Sequence, residues 1–193
     1  NDADHPPVSV IHTHDSEDEA AEVEAIRIAA KRCFSGHAAA MVTGPIHKAK
    51  LRQKGFSFNG HTDYLGSLFG VDPVMTFVGG RVRVALVTTH IPLKSVSSHL
   101  SVERICYVVK TATRSLQRNL GIVKPRVVVC GLNPHAGEDG LLGKEESLII
   151  SPACERLRRS DLNLDLIGPI SAETAFFNSD DSDYDLIVAM YHD

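Results

Sequence analysis

Apolar residues recur at helical spacing over residues 20–33 and 102–120, which predicts two amphipathic helices. The first follows Ser16-Glu17-Asp18-Glu19, a capping-box pattern. Acidic residues crowd the first turn of this helix and Lys31-Arg32 the last, as the helix dipole prefers. The second helix is expected to end at Gly121, because glycine commonly terminates helices.

Short apolar runs rich in β-branched residues predict six strands. They cover residues 8–11, 74–78, 82–88, 126–130, 164–167 and 185–190. Gly79-Gly80 predicts a turn between the second and third of them. Further helices are expected over 64–69 and 145–159, and Pro152 should kink or divide the latter. Because strands alternate with helices, the pattern favours an α/β fold with a mainly parallel sheet.

Composition narrows the function classes. The 193 residues are 43% hydrophobic and 23% charged, with a net charge of −4 and scattered basic residues. This balance argues against nucleic-acid partners and against a polybasic membrane surface. No apolar run approaches the roughly 20 residues of a membrane span. The four cysteines lack C-x-x-C spacing, so we expect reduced thiols and a cytoplasmic location.

Three predicted strands each deliver a histidine at or just beyond their carboxyl end: His90, His135 and His192. Ligands bind at this edge of open α/β sheets, so the three side chains could converge. Three imidazoles suit Zn²⁺ or a similar divalent ion with one position open for substrate. Glu138 or Asp193 could orient the rings. The alternative is that each histidine only hydrogen-bonds a loop carbonyl, and the pattern leaves both interpretations open.

A second candidate site is His61-Thr62, just before the helix predicted over 64–69. A helix start can bind a phosphate through its free backbone N–H groups, or Thr62 can simply cap the helix. Gly137, Gly140 and Gly143 form neither a dinucleotide fingerprint nor a Walker loop. A Rossmann-type cofactor site is therefore unsupported.

Five motifs together resemble the 4-hydroxythreonine-4-phosphate dehydrogenase family of vitamin B6 biosynthesis. They are "TGPIHK" (43–48), "GHTDYL" (60–65), "TTHIPL" (88–93), "GLNPHAGEDGLLGKEE" (131–146) and "AMYHD" (189–193). The segment "GLNPHAGE" is the most specific of them.

The resemblance implies an α/β/α sandwich of the isocitrate and isopropylmalate dehydrogenase type, which binds NAD without a Rossmann fingerprint. It implies NAD-dependent oxidation of a phosphorylated hydroxy amino acid, followed by decarboxylation, in a homodimer whose active sites are shared between subunits. His90, His135 and His192 match the family's metal ligands, with zinc expected and magnesium or cobalt as alternatives. His61 and Thr62 match its substrate-contacting pair. No residue is matched to the general base.

Departures from the family leave alternatives open. Glu173, in "SAET" (171–174), stands where the family usually has aspartate, and a paralogous group oxidises phosphorylated four-carbon sugar acids. A metal-dependent hydrolase is an alternative of another class, since three histidines can also activate water. The family's glycine-rich opening and its closing segments are absent from residues 1–193, so we expect part of a longer, two-lobed chain, or an inactive fragment. Residues 186–190 are apolar on both faces, which predicts a central strand that needs neighbours on each side.

Overall fold

The computed structural model describes residues 10–16, 20–58, 60–79, 82–177 and 184–192. They form two compact units, Asn1–Pro73 and Val74–Asp193. Across the described parts of both units, no helix has the length and apolar character needed to cross a bilayer.

The described residues of the first unit form three helices: α1 (Ala21–Phe34), α2 (Lys48–Gln53) and α3 (His61–Phe69). Its core is a small cluster of buried side chains. These are Ala20, Val23, Ile26, Leu51, Phe56 and Tyr64. The strand predicted over 8–11 is not found in its described part, since Val10 and Ile11 are exposed and irregular. Residues 8 and 9 lie outside the described residues.

The helix predicted over 20–33 is confirmed as α1, but its predicted cap is wrong, and so is the predicted start of α3. Helix α1 has Ala20 as its N-cap, without a side-chain cap, so Ser16 is not the capping residue. Instead, the Asp15 carboxylate accepts a hydrogen bond of 3.0 Å from the Ala21 N–H. Residues 17–19 of the predicted capping box lie outside the described residues. Helix α3 begins at His61 after Gly60, so Thr62 lies in the first turn and is not the cap.

The second unit contains a five-stranded sheet in the order β1–β2–β5–β3–β4. Its strands are β1 (Thr76–Gly79), β2 (Val82–Leu86), β3 (Arg126–Cys130), β4 (Asp165–Ile170) and β5 (Leu186–Ala189). Strands β1 and β2 are antiparallel, and every other pairing is parallel. This confirms the mainly parallel sheet and the central position predicted for the strand at 185–190. Gly80, in the predicted turn, lies outside the described residues.

Helices cover both faces of the sheet, as an α/β/α arrangement requires. On one face, alternate residues such as Val127, Val129 and Val188 pack in the main core against α5 (Val102–Leu120) and α6 (Ser151–Arg158). On the other, Val128 and Ile187 pack against Ala175 of α7 (Ala172–Phe177). A fully buried side chain of this size contributes about 1.5–3 kcal/mol.

The helix predicted over 102–120 is confirmed at both ends. The Ser101 hydroxyl accepts a hydrogen bond from the Arg104 N–H, and Gly121 takes the left-handed conformation that ends the helix. Two short elements, the 3₁₀ turn Leu93–Ser95 and α4 (Val96–His99), precede it.

The helix predicted over 145–159 is divided, as expected, near Pro152. A π-helical turn, Glu146–Ile150, leads into α6, and the proline lies in the first turn of α6. Because the helical backbone continues through Ile150 and Ser151, the missing N–H of Pro152 interrupts the regular hydrogen-bond pattern at this junction.

Candidate functional site

Strand pairing places His90 and His192 side by side at the carboxyl edge of the sheet. The pairing of β2 with β5 continues past both strands, because the Val87 N–H donates to the Ala189 carbonyl and the Thr88 N–H to the Met190 carbonyl. The buried Thr88 hydroxyl adds a hydrogen bond of 2.7 Å to the Met190 carbonyl. His90 and His192 therefore each lie two residues after a backbone position, Thr88 or Met190, that is fixed by these hydrogen bonds.

The two imidazole rings face one another. Their centroids lie 5.6 Å apart with an angle of 31° between the ring planes. The Phe77 and His192 rings meet edge to face, at a centroid distance of 5.6 Å. His192 thus contacts both an apolar ring from β1 and the second imidazole.

His135 lies on the loop that follows β3. The backbone from His135 to Asp139 has positive φ angles, which form a left-handed turn within Pro134–Gly140. His135 and His192 both line a cavity of about 480 Å³ on the α7 side of the sheet. His90 and His192 both line a neighbouring cavity of about 260 Å³. The two cavities share Tyr191 and His192, so the structure places all three histidines along one edge of the sheet.

The donor set fits a divalent cation in its chemistry, since imidazole nitrogen is a preferred ligand of zinc and related metals. Within the described ranges, no three histidine, cysteine, aspartate or glutamate side chains are grouped closely enough to hold a metal ion. That all three ring nitrogens approach one ion stays a prediction. Asp193, expected to orient a ring, lies outside the described residues.

Two of the three histidines have an unfavourable backbone conformation. The φ angles of His90 and His135 are 51° and 52°. The left-handed region costs a residue with a Cβ about 1–2 kcal/mol, and such residues cluster at functional sites. Strand-end spacing pointed to these histidines, but nothing in their spacing indicates their backbone angles.

Sequence reasoning missed a carboxylate network beside His135. The buried Glu146 and its neighbour Glu145 both accept hydrogen bonds from the Asn133 side-chain amide, at 2.9 Å each. Glu145 also accepts a bond of 2.6 Å from the Ser97 hydroxyl. The Ser97 and Asn133 hydrogen bonds hold the pKa of Glu145 below its ordinary value. The paired glutamates in "GKEE" are the only sequence signal for it.

Other groups in the larger cavity differ in what they can do. Glu173 lines it from the first turn of α7, so a carboxylate faces the space shared by His135 and His192. Cys130 also lines it, but burial raises the pKa of its thiol to about 12. The thiol is therefore protonated at neutral pH and is a poor nucleophile.

The predicted substrate pair, His61 and Thr62, lies in the first unit. His61 lines a cavity of about 370 Å³ together with residues 41–46. Its buried Nε2 atom has no hydrogen-bond partner among the described residues. An unsatisfied buried polar atom costs about 1–3 kcal/mol, so a ligand that bonds this nitrogen would recover that free energy. A shared cleft for this pair and the strand-end histidines stays a prediction.

The chain matches the family model described as pyridoxal phosphate biosynthetic protein PdxA over residues 4–193. It is 45% identical over 172 residues to the 4-hydroxythreonine-4-phosphate dehydrogenase of Ectopseudomonas mendocina (strain ymp), covering 89% of this chain and 50% of that protein. It is 42% identical over 181 residues to the protein of that name from Xanthomonas campestris pv. campestris (strain B100), covering 94% and 56%. The chain thus spans about half the length of these curated relatives.

Solved structures show the same likeness. The crystal structure of 4-hydroxythreonine-4-phosphate dehydrogenase from Klebsiella pneumoniae superposes with a TM-score of 0.82 at 37% identity, covering 89% of this chain and 52% of that one. A terephthalate 1,2-cis-dihydrodioldehydrogenase from Burkholderia xenovorans LB400 superposes with a TM-score of 0.73 at 28% identity, covering 95% and 58%. Structures of this shape therefore include dehydrogenases named for different substrates.

Proposed function

The chain belongs to the PdxA family of pyridoxal phosphate biosynthetic proteins, and we propose that it carries the metal-binding and substrate-binding portion of a 4-hydroxythreonine-4-phosphate dehydrogenase. The observation that carries the proposal is the placement of His90, His135 and His192 at the carboxyl edge of one mainly parallel sheet, with the His90 and His192 ring centroids 5.6 Å apart. The relatives named for this activity support the reaction class.

In this proposal His90, His135 and His192 hold one divalent cation, zinc in the first instance and magnesium or cobalt otherwise. When bound, the cation supplies Lewis acidity at the substrate hydroxyl and at the carbonyl formed by oxidation. The protein contributes three imidazole donors, positioned by the paired strand ends and by the left-handed turn. The substrate C–H carbon loses a hydride, its hydroxyl loses a proton, and the resulting β-keto acid loses CO₂.

NAD⁺ is the hydride acceptor that we assign to this reaction, because the relatives are dehydrogenases and hydride acceptance is the nicotinamide's own chemistry. His61 and Thr62 are assigned to substrate binding. The unpartnered Nε2 of His61 supports this assignment, since a polar substrate group would satisfy it.

We place the protein in the cytoplasm as a homodimer with active sites shared between subunits. All four cysteines are free and three of them are buried, which suits a reducing compartment. The dimer rests on the family resemblance alone.

A second candidate is a dehydrogenase of the same type acting on a different hydroxy acid, such as a phosphorylated four-carbon sugar acid. Two observations favour keeping it. Glu173 brings a longer carboxylate side chain than aspartate into the larger cavity, and a structural relative at 28% identity is named for a dihydrodiol substrate.

Zinc titration by calorimetry tests the metal site without requiring turnover. We expect single replacements of His90, His135 and His192 by Asn each to lower zinc affinity at least about tenfold, because a three-ligand site loses one donor. His37→Asn is the matched control, since His37 is an exposed imidazole bonded to Ser35 in the first unit. Unchanged zinc affinity in all three variants would overturn the metal assignment.

NADH absorbance tests the reaction and separates the candidates. The protein in its native length, supplied with zinc and NAD⁺, should form NADH with 4-hydroxythreonine 4-phosphate. NADH formation with only phosphorylated sugar acids would favour the second candidate. Phosphate release without NADH would instead indicate the hydrolase weighed above.

A further inference from the structure

We propose that Glu146 is a positioning residue for His135: its buried carboxylate holds the loop after β3 in the conformation that presents the imidazole at the sheet edge. This inference rests on the proposed function and extends it, because it explains how one of the proposed metal ligands is held in position. It concerns a residue that lines neither of the two cavities containing the histidines.

The carboxylate binds the loop at three points. Its Oε1 atom accepts hydrogen bonds from the backbone N–H groups of Leu132, at 2.7 Å, and Asn133, at 2.8 Å. Its Oε2 atom accepts a third, of 2.9 Å, from the Asn133 side-chain amide. These attachments end two residues before His135, so they fix the backbone from which the imidazole projects.

The site is closed around Glu146, which is only 6% exposed. A buried carboxylate is costly unless hydrogen bonds replace its hydration, and the three donors here are uncharged amide groups. A strained backbone persists only where the surrounding structure holds it, and His135, at a φ of 52°, lies two residues beyond the segment that this carboxylate binds.

Glycines leave the room that the carboxylate occupies. A Cβ on Gly137, whose φ is +84°, would lie 2.6 Å from Oε2 of Glu146. A Cβ on Gly131 would lie 3.0 Å from Oε1. The loop therefore wraps the carboxylate on both sides of His135, and the left-handed turn and Glu146 form one structural unit.

Glu146→Gln is the direct test, because it keeps the shape while turning an acceptor into an amide donor that faces the donor of Asn133. We expect zinc affinity to fall about 10–100-fold, the usual effect of removing a group that orients a metal ligand. Glu145→Gln is the matched control, since the Glu145 carboxylate also accepts from Asn133 but, among the described residues, its other side-chain partner is the Ser97 hydroxyl and not the loop backbone. Its zinc affinity should stay within about twofold of wild type.

Combined variants show whether Glu146 acts through His135. In a His135→Asn background, Glu146→Gln should cause no further loss of zinc affinity, because the ligand that it positions is already absent. In a His90→Asn background the full loss should remain. Equal losses in the two backgrounds would indicate a general structural role and overturn the proposal.

A metal-free measurement separates this inference from the proposed function. In the NMR spectrum without zinc, Glu146→Gln should shift the backbone amide and ring signals of His135 and leave those of His37 unchanged. If those signals do not move, the positioning role fails whatever binds at the site. If they move while His135→Asn leaves zinc affinity unchanged, the metal assignment fails and the positioning of the loop stands. Should Glu146→Gln not fold, Glu146→Asp keeps the charge, withdraws the carboxylate by one methylene, and must show the same shifts in weaker form.

Discussion

At the scale of single residues, the candidate site contains several unfavourable backbone angles. His90, His135 and Ala136 all have φ angles near +50°. This conformation costs free energy for a residue with a Cβ atom, whereas glycine adopts it readily. In His90 and His135 the imidazole is a candidate metal ligand, so the strained backbone can serve to position it. Ala136 carries only a methyl group, so the effect of the strained backbone on stability can be measured there without altering a candidate ligand.

Ala136→Gly should therefore raise the stability of the second unit. Relief of left-handed strain, about 1–2 kcal/mol, exceeds the entropy that glycine adds to the unfolded chain, about 0.4–1 kcal/mol. We expect a net gain of about 0.5 kcal/mol in urea denaturation. As a control, Ala25→Gly at an exposed position within helix α1 should lose about 1 kcal/mol. A loss of stability in Ala136→Gly would show that this turn is not left-handed in solution.

At the scale of elements, local signals predicted α5 and β3 to the residue. Helix α5 has its own cap at Ser101 and its own terminating residue at Gly121, so both ends of this 19-residue helix are specified by nearby residues. The cap of α1 was not predicted correctly, because its first free N–H donates to Asp15, six residues earlier, and not to a capping-box side chain. A hydrogen bond from a side chain outside the helix, such as that of Asp15, produces no periodic pattern in the sequence.

The same limit applies to the candidate site. Strand-end histidines could be found because each one follows its own strand, a local feature. Glu146 could not, because its partners are Leu132 and Asn133, 14 and 13 residues away. Glu146 can accept these hydrogen bonds only in the folded protein, where the loop after β3 lies against the π-helical turn.

The contact between Glu145 and Ser97 ties α4 to that turn and should make stability depend on pH. The Ser97 hydroxyl and then the Asn133 amide lower the pKa of Glu145 from its ordinary 4.5. A depressed carboxyl pKa adds stability that is present above the unfolded value and is lost as pH falls through the folded pKa. Glu145→Gln should therefore be less stable than wild type at neutral pH, and the difference should shrink below pH 4.5.

Denaturation of wild type, Glu145→Gln and Ser97→Ala across this pH range measures the effect. Ser97→Ala removes the first donor while leaving the carboxylate, so it should flatten the pH dependence in part. A stability difference that stays constant with pH would show that Glu145 is not held in its charged form by these bonds.

At the scale of the whole molecule, sheet order was only partly predictable. Residues 186–190 are apolar on both faces of the strand, which indicated a central position, and β5 does lie in the middle of the sheet. Which strands flank it could not be predicted, since β2 and β3 pair with β5 across large sequence separations. Those pairings bring the histidines together, so the candidate site depends on the least local contacts in the fold.

The two units differ in how much apolar core each contains. The main core of the second unit comprises 18 buried residues, and its central strand is bonded on both sides. The first unit has six buried residues in its cluster, three helices and no strand among its described residues. Because local opening costs more free energy where more apolar surface is buried, the units should open independently and at different cost.

Native-state hydrogen exchange, read by mass spectrometry, measures this difference. Amides of β3, β5 and α5 should be the slowest to exchange, and those of α1, α2 and α3 should exchange at least about tenfold faster. Urea, at concentrations too low to unfold the whole protein, should first accelerate amide exchange in residues 10–73. Leu116→Ala, a large-to-small change in the main core, should accelerate exchange in β3 and α5 while leaving α1 unchanged. Equal protection in the two units, or acceleration of α1 by Leu116→Ala, would show that the two cores unfold as one cooperative body.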